Sequence, residues 1–149
     1  MQKRAPASGY SGTPLPKKLG IKEGQSVLLI GMPAGLLAPA ALKSFNMLET
    51  LESCPQSRRD TPKGPFDYIH LFTSDSGQLQ KTLPLLRGAL KPDGMLWVSW
   101  PKRASKVATD VTEDVIRALA LGHALVDIKV CAVDAVWSGL KLVIPRHMR

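Results

Sequence analysis

The run Met95-Leu-Trp-Val-Ser-Trp100 restricts the fold of this chain more than any other stretch. It is apolar on both faces and is bounded by chain breakers, Lys91-Pro-Asp-Gly94 before it and Pro101-Lys-Arg103 after it. A strand that alternates in polarity can leave one face in water. One that is apolar throughout needs cover on both sides, as at the centre of an open parallel sheet between two layers. Pro92 stops a preceding helix and Gly94 can take a positive φ, so Lys91–Gly94 is expected to be a tight turn into the strand. Ligands of such sheets bind outside the carboxyl ends of the strands. That directs attention to the polar group just after Trp100.

Two further runs share this character. Ser26-Val-Leu-Leu-Ile30 leads into Gly31-Met-Pro-Ala-Gly35, and Phe66-Asp-Tyr-Ile-His-Leu-Phe-Thr-Ser74 precedes a helix expected over Gly77–Leu90, capped by Asp75 or Ser76 and kinked or divided at Pro84. Pro16–Leu19 can form one helical turn. Pro39–Phe45 suits a helix with proline in its first turn. Its apolar spacing through Leu48 and Leu51 allows the helix to continue to Leu51, or Asn46–Thr50 can be a short strand; both readings stand. Residues 53–65, rich in proline and polar groups, are expected to lack regular structure. Asp110-Val-Thr-Glu113 has capping-box spacing for a helix over Val111–Leu125. No helix fits between Asp127–Val133 and Leu140–Ile144, so these are expected to pair antiparallel, with Trp137-Ser-Gly139 in the turn. Strand and helix alternate and a hairpin closes the chain: an α/β domain with a mainly parallel sheet.

Composition narrows the function classes. The 149 residues include 20 Lys and Arg against 12 Asp and Glu, a net charge of +8. Excess cations favour anionic partners without specifying one. Three Phe and two Tyr, none alternating with basic residues, offer no base-stacking platform, so a solvated basic surface ranks ahead of a nucleic-acid interface. Cys54 and Cys131 are far apart and make no metal or redox motif. No metal site is expected. No run approaches the roughly 20 apolar residues of a membrane span, and Met1–Pro6 lacks the apolar segment of a signal peptide; a cytoplasmic protein without membrane attachment is expected. Residues 1–9 are expected to be a flexible tail ahead of one domain over 10–149.

Ser26–Gly35, Phe66–Ser74 and Leu90–Trp100 resemble the first, fourth and fifth strands of class I S-adenosylmethionine-dependent methyltransferases, where Phe-Asp before one strand and Leu-Lys-Pro-Asp-Gly before the next are common phrasings. Tyr10-Ser-Gly-Thr-Pro14, Trp100-Pro-Lys-Arg-Ala-Ser105 and Trp137-Ser-Gly-Leu140 together resemble a family of small bacterial domains of unknown function that shares this fold. The resemblance covers nearly the whole chain. It implies a Rossmann-like three-layer sandwich whose mainly parallel sheet is closed by a C-terminal antiparallel hairpin, and S-adenosylmethionine as the cofactor to consider. Gly31 and Gly35 match the cofactor loop; Leu29 and Pro33 stand where an acid and a glycine are usual. The acid for the ribose hydroxyls would be Glu49 or Glu52, with Glu49 taken as the candidate, and Thr73 follows the fourth strand.

The ligand-binding candidates are Lys102, Arg103, Ser105 and Lys106, a cationic loop able to clamp a phosphate or carboxylate. Trp100 stands at their edge, and Tyr10 and Ser11 lie in a segment that could fold over the strand ends. Thr109, Asp110 and Thr112 suit helix caps. His70, inside an apolar strand, reads as a satisfied buried histidine. No Ser-His-Asp or paired-carboxylate spacing marks a catalytic set. Three readings follow. The leading one is a non-catalytic binding or regulatory module for an anionic ligand or protein partner. The others are a methyltransferase with a degenerate glycine loop, and a non-specific nucleic-acid binder.

Overall fold

The computed structural model describes residues 13–149; Tyr10 and Ser11 lie outside them. Six strands form one sheet in the order β2-β1-β3-β4-β6-β5, with β1 at Ser26–Ile30, β2 at Met47–Leu51, β3 at Phe66–Phe72, β4 at Leu90–Pro101, β5 at Val126–Ala132 and β6 at Trp137–Val143. The β1–β2, β1–β3 and β3–β4 pairs are parallel. β6 inserts antiparallel between β4 and β5, so it alone runs against the other five strands. The expected parallel sheet with a closing antiparallel hairpin is what forms.

Layers cover both faces because the central strands are apolar on both. On one face Leu28, Ile30, Ile69, Leu71, Leu96 and Val98 pack against Leu79, Leu83 and Leu86 of α3 (Ser76–Gly88) and against Ile116 and Ala120 of α4 (Glu113–Gly122). On the other face Val27, Leu29, Tyr68 and Trp97 pack under Leu19 of α1 (Leu15–Leu19), Ile21 and Leu37. α1 is pinned there by the Trp97 indole N–H, which donates to the Leu19 carbonyl at 2.8 Å.

The segment after α2 (Pro39–Lys43) is the strand β2, one of the two readings its spacing allowed. Several other local expectations are corrected. Lys91–Gly94 does not form a separate turn but a bulge within β4: Phe66 pairs with Leu90 and Tyr68 with Met95, so five residues advance where the partner advances two. Gly94 is required there, because a Cβ would stand 2.9 Å from the Phe66 carbonyl and 2.8 Å from Leu90 Cδ1. Asp67 fastens the bulge by accepting from the Ser26 backbone N–H at 2.8 Å and pairing with the Lys91 ammonium at 3.1 Å. α3 begins at Ser76, runs through Pro84 as one element and ends at Gly88.

The capping box is replaced by two separate caps. Thr112, in extended backbone, caps α4 by accepting from the Val115 N–H at 3.2 Å, so that helix starts at Glu113. Asp110 instead reaches the first turn of α3, accepting from the Ser76 N–H at 2.8 Å and from its hydroxyl at 2.6 Å. Trp137–Gly139 belong to β6 rather than to the hairpin turn. The turn is shorter than expected because the Asp134 carboxylate accepts from the Val136 and Trp137 N–H groups at 2.8 and 2.7 Å. Among the described residues no helix is long and apolar enough to cross a membrane.

Candidate functional site

The chain leaves β1 to build β2 on one side and then returns to build β3 on the other. This reversal opens a crevice at the carboxyl ends of β1 and its neighbours. Gly31 sits in it with φ +67°, donating its N–H to the Leu51 carbonyl at 2.9 Å. A Cβ at this position would lie 3.1 Å from the Phe72 carbonyl and 3.6 Å from that of Glu52. Only glycine therefore threads the chain between the ends of β2 and β3 at this φ.

The residues that follow wall a cavity of about 440 Å³ with Leu29, Met32, Pro33, Gly35, Leu42, Leu48, Leu51 and Glu52. Gly35 turns this loop at φ +80° with open space around its Cα. Among the described residues the lining is aliphatic apart from Thr50 and Glu52, Glu52 is its only charged side chain, and no His, Lys, Arg, Tyr or Cys lines it. Of the two candidate acids, Glu52 reaches the cavity. Glu49 lies in the middle of β2 opposite Leu28, exposed and outside the lining.

A second, polar cavity of about 360 Å³ adjoins in sequence, lined by Ser53, Cys54, Gln56, Asp75, Gln78, Lys81 and Thr82 among others. Thr73 stands between the end of β3 and this cavity: its N–H donates to the Ser99 carbonyl at 3.0 Å, and its hydroxyl accepts from the Asp75 N–H at 3.2 Å. Burial pushes the Cys54 thiol up, while hydrogen bonds with Thr82 and Thr73 pull it down; the net shift is upward. That works against a thiolate nucleophile.

The loop after β4 lies apart from both cavities. Arg103–Ser105 form a 3₁₀ turn and Lys106 takes φ +62°. The Ser105 hydroxyl donates to the Lys102 carbonyl at 2.6 Å and accepts from the Val107 N–H at 3.3 Å. The Lys102 N–H donates to the Val136 carbonyl at 2.7 Å. Ser105 is thus spent on the loop's own conformation. Trp100 is buried in the core beside α3 and α4, outside the linings of both cavities. Its buried position follows from strand alternation, since residues 96, 98 and 100 share the face under those helices.

Beneath the crevice a polar chain runs through the core. The Tyr68 hydroxyl and His70 Nδ1 are 2.9 Å apart, and His70 Nε2 and the Ser99 hydroxyl 2.7 Å. His70 and Ser99 are wholly buried, and Phe72 stacks on the imidazole at 4.3 Å between centroids. Burial lowers the His70 pKa to about 3, so the ring is neutral and supplies one donor and one acceptor to its two partners. It is the satisfied histidine the sequence suggests.

No family model matches the chain, and no curated protein does. Solved structures do. A SAM-dependent methyltransferase from Aquifex aeolicus superposes with a TM-score of 0.63 at 18% identity over 86% of both chains. An S-adenosylmethionine-dependent methyltransferase from Clostridium acetobutylicum gives 0.64 at 9% identity over 87% of both. The magnesium protoporphyrin IX methyltransferase of Synechocystis PCC 6803, with bound SAM, gives 0.59 at 12% identity, over 87% of this chain and 74% of that one. The chain has the Rossmann-like fold of the class I S-adenosylmethionine-dependent methyltransferases.

Proposed function

We propose that this chain is a ligand-binding module that holds the nucleoside part of an S-adenosyl compound in the crevice after β1. The observation that carries the reading is the lining itself: an aliphatic cavity of about 440 Å³ at the switch point of the sheet, with one carboxylate at the end of β2. Aliphatic walls from Leu29, Leu48 and Leu51 suit a purine face, and Glu52 can accept hydrogen bonds from vicinal ribose hydroxyls. The amino-acid half of the cofactor fits less well. Leu29 replaces the acid expected of such a loop, Pro33 has no N–H to give, and among the described residues no cation lines the cavity to meet a carboxylate. The nucleoside half therefore carries the affinity.

Bound S-adenosylmethionine would supply an electrophilic methyl group. Among the described residues the lining contributes apolar walls and one acceptor, with no His, Lys, Tyr or Cys to take a proton from an acceptor molecule. Methyl transfer rests chiefly on positioning, so a transferase remains the second reading. It is favoured by the polar cavity from Ser53 to Thr82, which offers a place for a methyl acceptor.

Titration calorimetry with adenosine, S-adenosylhomocysteine and S-adenosylmethionine separates these readings. The module reading expects all three within tenfold of one another, each weakened about tenfold, or 1.4 kcal/mol, by Glu52→Gln. S-adenosylmethionine binding more than about 100-fold tighter than adenosine would mean that the methionine half is held, and would turn the assignment to a transferase. No heat from any of the three at millimolar concentration would overturn the crevice assignment.

A further inference from the structure

On the face covered by α1, at the β5 edge of the sheet and away from the crevice beside β2, five lysines converge from two parts of the chain about a hundred residues apart. Lys17 and Lys18 on α1 and Lys129 on β5 line a cavity of about 420 Å³ together with Thr13, Val130, Cys131 and Ala132. Lys141 on β6 pairs in register with Lys129. Its ammonium is held below the usual lysine range by burial, then by the charges of Lys129 and Lys22.

The arrangement is built rather than splayed. Lys18 is 8% exposed, and its ammonium donates to the Ala132 carbonyl at 3.0 Å. The Lys129 ammonium donates to the Lys18 carbonyl at 2.9 Å. These reciprocal contacts fix α1 to the edge strand and fix both charges beside the cavity. An ammonium has three N–H donors, and the contact of Lys129 with the carbonyl uses one.

Among the described residues no acid lines the cavity. Among the described residues, Lys17, Lys22, Lys129 and Lys141 make no ion pair. Asp127, the nearest acid along β5, faces α4 and pairs with Arg117 at 3.0 Å. Residues 1–12 contain no Asp or Glu at all. Like charges held together at a partly desolvated site destabilise a fold unless an anion joins them.

We propose that this cavity is a binding site for a phosphate-bearing small-molecule anion, with Lys17, Lys18 and Lys129 as its walls and Lys22 and Lys141 supplying further field. A compact anion fits better than a nucleic-acid strand. The charges meet at one concavity instead of tracking along a groove, and among the described residues no aromatic side chain lines it for a base to stack on. The site shares no lining residue with the crevice and stands whether or not an adenosyl ligand binds there.

The test uses the whole chain and inorganic tripolyphosphate as the probe, read by calorimetry and by the melting temperature at low salt. The wild type should bind and melt several degrees higher with millimolar probe. Lys129→Gln/Lys141→Gln should lose at least tenfold in affinity, and Lys141→Gln alone, which keeps the Lys129 contact with α1, should melt above the wild type without probe because the repulsion is relieved. Lys43→Gln/Arg146→Gln removes the same charge elsewhere and should bind as the wild type does. Equal losses in both double variants would reduce the effect to net charge and overturn the site, as would a wild type that ignores the probe. A single-stranded oligonucleotide that outcompetes tripolyphosphate at equal phosphate concentration would also overturn it, in favour of nucleic acid. Glu52→Gln, which disables the crevice, should leave tripolyphosphate binding intact.

Discussion

The buried imidazole makes a quantitative demand on how stability varies with pH. In the folded chain His70 has a pKa of about 3 because burial penalises its charged form; in the unfolded chain the same ring titrates near 6.5. Between these values the unfolded state binds one more proton than the folded state, so stability rises with pH across that window. Acidification therefore destabilises the fold as pH drops below about 6.5, and the loss levels off near pH 3. Each pH unit inside the window is worth about 1.4 kcal/mol, so going from about pH 7.5 to about pH 4.5 removes on the order of 2–3 kcal/mol through this residue alone. For a chain of this size that is roughly 5–10 °C in Tm.

The clean comparison is with His70→Gln, whose amide can still bond to Tyr68 and Ser99 but does not titrate. Urea unfolding of both proteins at the two pH values isolates the imidazole, because Asp67 and every other titrating group is common to both and cancels. The wild type should lose on the order of 2–3 kcal/mol more than the variant on acidification, even though the variant starts from a lower stability at neutral pH. Equal losses, within about 0.5 kcal/mol, would refute the claim that the ring is held neutral in the core. A loss that appears only when the variant is acidified would refute the sign.

Two further substitutions probe the local devices of the fold. Thr112→Ala should cost about 1 kcal/mol in thermal unfolding by leaving the first turn of α4 without its acceptor. Gly139→Ala places a Cβ 3.0 Å from the Trp97 ring, 3.1 Å from the Ser99 hydroxyl and 3.2 Å from Val133. It should cost roughly 1–3 kcal/mol and perturb the near-ultraviolet circular dichroism of the indole; an unperturbed spectrum would mean that β6 yields instead.

Which parts of this were legible in the sequence follows from the range of the interactions. The central strands announced themselves because burial on both faces leaves a local mark, a run with apolar residues on both faces in residues 26–30, 66–72 and 95–100. Gly31 was legible for a similar reason: a glycine ending such a run has few other uses. Glu49 and Glu52 could not be separated, since the choice depends on where β2 stops, and periodicity left even its identity as a strand open. Asp110 was legible as a cap but not as an acceptor for the first turn of α3, whose N-cap is Asp75, because its partner Ser76 is 34 residues away. The lysine cavity left no trace. Its halves are separated by 111 residues, joined only when α1 docks on the edge strand.

The two cavities are unlike in charge, and the sheet between them explains how one small core supports both. Leu29 and Leu37 wall the crevice on one side of the cluster under α1, while Cys131 at its other side lines the lysine site. Between them stand Tyr68, Phe72 and Trp97, with His70 and Ser99 threaded among them. A charged group in that position would couple to both cavities through a medium of low polarity. A neutral imidazole with both nitrogens occupied does not: it fills the space, satisfies two hydroxyls and fixes the register of β3 against β4. Its value to the molecule is that it carries no charge, so the carboxylate at the β2 side and the ammonium groups at the β5 side are not coupled through it.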